Sequence, residues 1–461
     1  MIKIKSRMQK YIILLFVVMF HFIFYRSINI EYKSDVLISF FAISISAIII
    51  FYSSARFLLV SYLYTAYFLV LGVFQYLQSS VRPEGFLGFN IPITLITNIE
   101  LRYIYFKYLL LFYIISISTI TLRIHIYKIN NKLNQKKIDR SNLIKKTKIY
   151  ITKINPYILL IGYFVIEYFV RNYFQILVPG KSPKIAHSGI IVYLVLSMSI
   201  YIKFIVVLFF YKKYGKSNKY YINLLFIVIL SALPSVLLGA RSTFILNAVH
   251  LILFNLFLDD NQQFYKKKSN KIIIVIFILI GLASINLGNT LRMHNDLDML
   301  AFLTRRFTGI TDAIAAINYY KSGGELLGLK NYVFNILNMG DIRVTTFYTK
   351  SILFFPTEGI TANALPLFSA ALLYYGLVGI GLFSIVFAWT LSSIEIRLSE
   401  ISTNHSNYRI IKDKYIYSYL ILNIFIIMII EGNIDHVNII LIPYIAFQLF
   451  TRILPIMIKK S

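Results

Sequence analysis

Arginine beside an apolar surface is well suited to holding a phosphate, because its planar guanidinium donates two parallel hydrogen bonds and keeps its charge. Arg241 sits in Leu237-Leu238-Gly239-Ala240-Arg241-Ser242-Thr243, a short turn between two apolar runs, with Pro234 shortly before it. The second run is only about 16 residues, near the lower limit for crossing a bilayer. Either the turn is drawn into the apolar body, where Arg241 grips an anion, or the side chain snorkels at the interface. Further on, Asn289-Thr-Leu-Arg292-Met-His294-Asn-Asp296-Leu-Asp298 leads to Thr304-Arg305-Arg306-Phe-Thr-Gly309. Three arginines, a histidine and two carboxylates in so short a stretch fit recognition of a pyrophosphate and proton transfer by His294. They equally fit a polar loop. His294, Asp296 and Asp298 supply too few ligands at useful spacing for a metal, so no metal and no cofactor is expected. Arg343 is a further phosphate ligand, or half of a surface ion pair with Asp341. In Glu431-Gly-Asn-Ile-Asp435-His436, Glu431 and Asp435 are candidates for a base or for holding an acceptor hydroxyl. Glu167 precedes Arg171 by about one helical turn and either pairs with it or lines a cavity.

The elements that must position these residues are apolar. Of 461 residues, 58% are hydrophobic and 14% charged, with a mean hydropathy of +0.71. That excludes a soluble globular enzyme, whose charged fraction is roughly 25%. Runs long enough to span a bilayer fall near 11–25, 36–53, 57–77, 103–122, 156–170, 188–211, 220–239, 243–258, 272–288, 366–391, 415–430 and 438–456. The expected fold is therefore all-α: a polytopic membrane protein of about 12 transmembrane helices, forming one integral membrane domain over 1–461. The first run follows Met1-Ile-Lys-Ile-Lys-Ser-Arg without a small-residue cleavage site and reads as an uncleaved helix.

The net charge of +28 comes from 47 Lys+Arg against 19 Asp+Glu. These basic residues lie in short runs between apolar stretches, which reads as an orientation signal rather than a nucleic-acid surface. With both termini inside, the inner segments carry 29 Lys+Arg and the outer ones 15, the bias expected for that orientation. Two connections stand out by length. The inner stretch 123–155 is basic and reads as a solvated face attracted to anionic headgroups. The large extracytoplasmic loop 289–365, between the ninth and tenth runs, holds Leu300, Leu303, Phe307, Ile310, Ile314 and Ile317 at helical spacing. These predict an amphipathic helix on the outer surface or capping the bundle, with Arg305, Arg306 and Asp312 off its apolar face. Cysteine is absent, which removes disulfides and thiol chemistry. No phosphate-binding glycine motif of the nucleotide-binding kind occurs, so a donor would be lipid-linked rather than a nucleotide sugar.

Three pieces of the second half occur in an order found elsewhere: Leu238-Gly239-Ala240-Arg241-Ser242; Arg306-Phe-Thr-Gly309 leading to Leu327-Gly328-Leu-Lys-Asn-Tyr332; and Phe368-Ser-Ala-Ala-Leu-Leu-Tyr374-Tyr-Gly376-Leu-Val-Gly379-Ile-Gly381. In this order and spacing the chain resembles the Wzy-type oligosaccharide repeat-unit polymerases of O-antigen and capsule assembly. The first half matches them in hydropathy alone. The resemblance implies a fold similar to the membrane-embedded C-type glycosyltransferases, with the site at the outer face of the bacterial cytoplasmic membrane. It also implies a metal-independent transfer. The growing glycan leaves its undecaprenyl-pyrophosphate carrier for the non-reducing end of a new lipid-linked repeat unit. Arg241 and Arg306 would bind pyrophosphate or glycan, with Arg292 and Arg305 as neighbours. Partners would be the undecaprenyl-pyrophosphate-linked oligosaccharide, membrane lipid, a chain-length regulator and a flippase, and not nucleic acid. One departure stands: some members have an outer-loop arginine followed eleven residues later by glycine, and none of Arg82, Arg171, Arg241, Arg292, Arg305, Arg306 or Arg343 has it. The alternatives are a lipid-linked oligosaccharide flippase, an O-antigen ligase and a non-catalytic assembly partner.

Overall fold

A computed structural model describes residues 98–134, 155–174, 188–215, 217–237, 242–258, 310–336, 344–352, 365–400, 408–430 and 437–459, together with eight residues of 59–71 and Ile434. Among the described residues every regular element is helical and none is a strand. Backbone groups placed in hydrocarbon must find partners within their own segment, and a helix provides them. The helices are α1 (Ile99–Asn134), α2 (Pro156–Phe174), α3 (Ser188–Tyr214), α4 (Asn218–Leu237), α5 (Ser242–Leu258), α6 (Ile310–Lys321), α7 (Gly328–Ile336), α8 (Val344–Phe347), α9 (Leu367–Glu400), α10 (Tyr408–Asn423) and α11 (Asn438–Lys459). Two π-helices continue α8 and α10, over Tyr348–Ile352 and Ile424–Ile430. The described residues of 59–71 are helical as well.

Local sequence explains where the helices begin and end. Asn98 starts α1 by accepting the Leu101 amide at 3.1 Å, and Asn155 starts α2 by accepting that of Tyr157 at 3.0 Å. Pro156 occupies the first position of α2, where its missing N–H costs nothing. Lys212 and Lys213 lie in the last turn of α3, opposite the partial negative charge of its carbonyl end.

Among the described residues, three stretches are long and apolar enough to cross a membrane: Glu100–Tyr127, Tyr193–Tyr214 and Leu367–Leu398. Shorter apolar helices accompany them over Pro156–Val170, Asn218–Ser231, Leu246–Asn255 and Ile440–Arg452. Many of their outward residues are large and apolar, among them Ile158, Ile166 and Phe169 on α2 and Val378 and Leu382 on α9. Outward apolar residues of this kind suit contact with lipid rather than water. The runs expected at 11–25, 36–53 and 272–288 lie outside the described residues.

The helices pack around two cores. In the first, α1 and α9 run side by side over most of their lengths, with the 59–71 segment, α6, the Tyr348–Ile352 π-helix and the Ile424–Ile430 π-helix packed around them. In the second, α2, α3, α4, α5 and α11 surround Phe204, Tyr220, Phe254 and Phe447. Helix α10 joins the two: Ile411, Tyr415 and Ile416 belong to the second core, and Leu420 and Ile421 to the first.

Two details differ from the expectation. The stretch 123–155 begins as helix, because α1 continues to Asn134. Within it Arg123 is no solvated charge: its Nε donates to Ser393 Oγ at 3.0 Å and its guanidinium stacks over Trp389. Helix α6 also departs from a simple amphipathic helix. Ala313, Ile314, Ala315, Ala316 and Ile317 are all buried, and so is Asp312 at 2% exposure. The alanines let α6 sit between α1 and α9 with little of its surface left over, and the Tyr348 hydroxyl on the neighbouring π-helix donates to the Asp312 carboxylate at 2.8 Å.

Candidate functional site

The most irregular place in the described structure is the break in α9. Backbone angles leave the helical range at Tyr375 (φ −142°, ψ 16°) and Gly376 (φ 62°, ψ −147°). The second pair is open to glycine and strained for any other residue. A side chain at Gly376 would also meet the Tyr320 hydroxyl at 3.0 Å, and one at Gly379 would meet the Ala371 carbonyl oxygen at 2.2 Å. Gly376 and Gly379 thus allow the two parts of α9 to meet at an angle that larger residues forbid. The part before the break, from Leu367 to Tyr374, is buried throughout.

Breaking a helix frees the carbonyls of its last turn. That of Leu373 is taken by the Leu327 amide, at 3.0 Å, from the connection between α6 and α7. This bond ties the 310–336 region to the break. Around it lie tyrosines: Tyr320 against Gly376, Tyr332 edge-on to Tyr374 with ring centroids 5.2 Å apart, and Tyr375 beside Phe383. The buried Asp312–Tyr348 pair belongs to the same helix, α6, that carries Tyr320. At the end of α6 an exposed ion pair, Lys321 to Glu100 at 2.5 Å, holds it to the start of α1.

Chemically the region offers a carboxylate kept in place by a phenol, tyrosine hydroxyls at a helix break, and flat aromatic faces with polar edges. Among the described residues no three of His, Asp and Glu come together as metal ligands.

The expected catalytic and substrate-binding residues Arg241, Arg292, Arg305, Arg306, Arg343, His294, Glu431 and Asp435 lie outside the described residues. For Arg306, Arg343, Glu431, Asp435 and Arg241, described residues lie close by in the chain, and these divide between the two cores. Helix α6 begins four residues after Arg306, Val344 follows Arg343, and Ile430 and Ile434 directly precede Glu431 and Asp435; all of these neighbouring elements pack in the first core. Helix α5, which begins at Ser242 after Arg241, packs in the second. Glu167 is buried at 2% exposure on α2.

Sequence reasoning missed Tyr320, Tyr348 and the burial of Asp312. It also missed Glu395, whose carboxylate accepts the amides of Leu59 and Val60 at 2.9 and 3.0 Å. It passed over Lys203, midway along α3, which donates to Asn247 Oδ1 at 2.8 Å, while Asn247 donates to Ser231 at 3.2 Å. The one available signal was the glycine spacing Gly376-x-x-Gly379-x-Gly381, which marks the break. No protein-family model, curated protein or solved structure matches this chain.

Proposed function

We propose that this protein polymerises undecaprenyl-pyrophosphate-linked oligosaccharide repeat units into O-antigen or capsular polysaccharide at the outer face of the cytoplasmic membrane. In this reading it has about 12 spans, both termini inside, a C-type glycosyltransferase-like fold and the 289–365 region outside. The observation that carries it is the break at Tyr375–Gly376, where the glycine-rich part of the resemblance meets the 310–336 region and its tyrosines. The apolar helices and the excess of basic residues on one side support the same reading.

The chemistry is a displacement at the anomeric carbon of the growing chain. An acceptor hydroxyl of the new repeat unit attacks that carbon, its proton passes to a base, and the bond to the pyrophosphate oxygen breaks, releasing undecaprenyl pyrophosphate. The leaving group gains negative charge in the transition state, and arginines at a low-dielectric mouth stabilise it. Arg241 and Arg306 take that role, with Arg292, Arg305 and Arg343 binding pyrophosphate or glycan beside them. His294, Glu431 and Asp435 are the candidates for the base.

A second reading has a specific observation in its favour. Broken helices and a midspan lysine are also features of transporters, and Lys203 with the α9 break supplies both. Surface glycan and lipid-linked intermediates from a strain lacking the protein separate the two. Single repeat units at the surface without a ladder support polymerisation. Loss of all surface glycan, with lipid-linked units held inside, supports a flippase. In complemented strains, Arg306→Ala and Arg241→Ala are expected to insert normally and restore no ladder; a normal ladder from both would sink the arginine assignment.

A further inference from the structure

Helices α1 and α9 carry marks of where hydrocarbon begins and ends. They run parallel and in step: a side chain at Gly381 would meet Ile115 at 3.8 Å, and eight residues further along both helices the Arg123 guanidinium lies 5.0 Å from the Trp389 ring. Arg123 reaches past this level, away from the span, to Ser393. Trp389 is the only tryptophan in the chain, and a tryptophan beside a snorkelling arginine fits a membrane boundary. Towards the other end Lys107 turns back by one helical turn. Its ammonium lies 4.1 Å from the Tyr103 ring, away from the exposed Leu111 and Ile114. Between Lys107 and Arg123 neither α1 nor the stretch of α9 beside it carries a charge. The interval is 16 positions, about 24 Å along the axis, and side chains reaching outward at both ends extend it towards the roughly 30 Å of a hydrocarbon core.

The α9 break falls at the Lys107 boundary. Gly376 is five residues before Gly381 and therefore level with Leu110, about 5 Å along the axis from Lys107. Just past the break the outward residues of α9 are Leu377, Val378 and Leu382. Helix α7 packs at this level: Tyr332 lies edge-on to Phe383 at 5.0 Å as well as to Tyr374. Successive helical residues are about 100° apart, so Leu329 and Val333 project together from the side next to Tyr332, with Lys330 and Asn331 beyond them. Leu329 and Val333 are both exposed. An exposed apolar face beside the lipid-facing part of α9, bordered by a lysine and an asparagine, fits the zone between acyl chains and headgroups.

We propose that α7 is an interfacial helix seated in the lipid leaflet next to the α9 break, with Leu329 and Val333 among the upper acyl chains and Lys330 and Asn331 at the headgroups. Through Tyr332 and the bond from the Leu327 amide to the Leu373 carbonyl it holds the break at the bilayer surface. The inference rests on the chain's spanning a membrane and on no part of the glycan chemistry.

The absence of cysteine lets single cysteines carry a nitroxide without background. The full chain is placed in nanodiscs of phosphatidylethanolamine and phosphatidylglycerol. Collision rates are then measured with oxygen, which concentrates in lipid, and with a neutral nickel chelate, which stays in water. The sites are Leu329→Cys, Val333→Cys and Asn331→Cys, with Val378→Cys as the lipid reference and the exposed Ser322→Cys as the water reference. The oxygen-to-nickel ratio at Leu329 and Val333 is expected to match that at Val378 and to exceed that at Asn331 by about threefold or more. A ratio like that of Ser322 at both, or little collision with either reagent, while Val378 reads as lipid, would overturn the α7 proposal alone. A water-like ratio at Val378 as well would overturn the membrane-spanning reading beneath it.

Discussion

The two cores are built from the same apolar, tyrosine-rich helices, yet they differ in the regularity of their backbones. In the second core the polar side chains answer one another across helices. Lys203, Asn247 and Ser231 form a chain, the Tyr157 hydroxyl donates to Asn223, and the His250 ring bonds the Tyr415 carbonyl at 3.1 Å. The first core also pairs polar groups, as Tyr348 does with Asp312, but it holds a broken helix and two π-helices. Departures from regular, satisfied structure cost stability and persist where something other than stability is selected. In the proposed reading the broken helix of the first core belongs to the site. Changes at the break of the first core should therefore alter function in folded protein, and changes to the Lys203–Asn247–Ser231 chain of the second should alter stability alone.

The largest effect is expected from Gly376→Val. A β-branched residue cannot adopt the Gly376 backbone and would meet Tyr320. Polymer formation should fall by about 100-fold or more, a barrier change of about 3 kcal/mol, while the protein still inserts in the membrane. Glycan ladders measured beside membrane abundance decide it, and near-normal activity would remove the break from the site.

Tyr348→Phe comes next. It takes a hydrogen bond from the buried Asp312 carboxylate, worth about 1.5–3 kcal/mol for a charged partner. Activity per inserted molecule should fall along with thermal stability, whereas a purely structural pair would lower stability alone.

Asn247→Leu breaks the contrast from the other side. It removes the acceptor for Lys203 and the donor to Ser231, and should destabilise by about 1–3 kcal/mol. Activity per folded molecule should be unchanged; a selective loss of activity would assign function to the second core and strengthen the transport reading. The smallest effect is expected from Lys321→Ala. Its pair with Glu100 is exposed, so thermal unfolding should report only about 0.2–1 kcal/mol.

How much of this was legible in the sequence follows from how far each interaction reaches along the chain. The runs at 103–122, 156–170, 188–211 and 220–239 are local patterns, and each coincides with a helix. The run 366–391 also marks α9, but hydropathy reads straight through Tyr375 and Gly376, because a break between apolar residues leaves the average unchanged. Asp312 looked like a solvent-facing residue because periodicity sorts by side-chain type. Its partner Tyr348 is 36 positions away and belongs to tertiary structure. Glu395 is further from local rules still, since the amides it accepts are more than 330 positions away. The arginines were legible by type and setting, and they lie outside the described residues, so the described part of the candidate site rests on tyrosines to which periodicity gave no role and on Asp312, which it placed off the apolar face.

The most direct test of the central claim is reconstitution of the purified full chain in liposomes with a synthetic undecaprenyl-pyrophosphate-linked repeat unit. The expected result is a ladder of lengthened lipid-linked glycans with undecaprenyl pyrophosphate released for each linkage formed, abolished by Gly376→Val and retained by Lys321→Ala. Repeat units that stay single while moving from one leaflet to the other would contradict it.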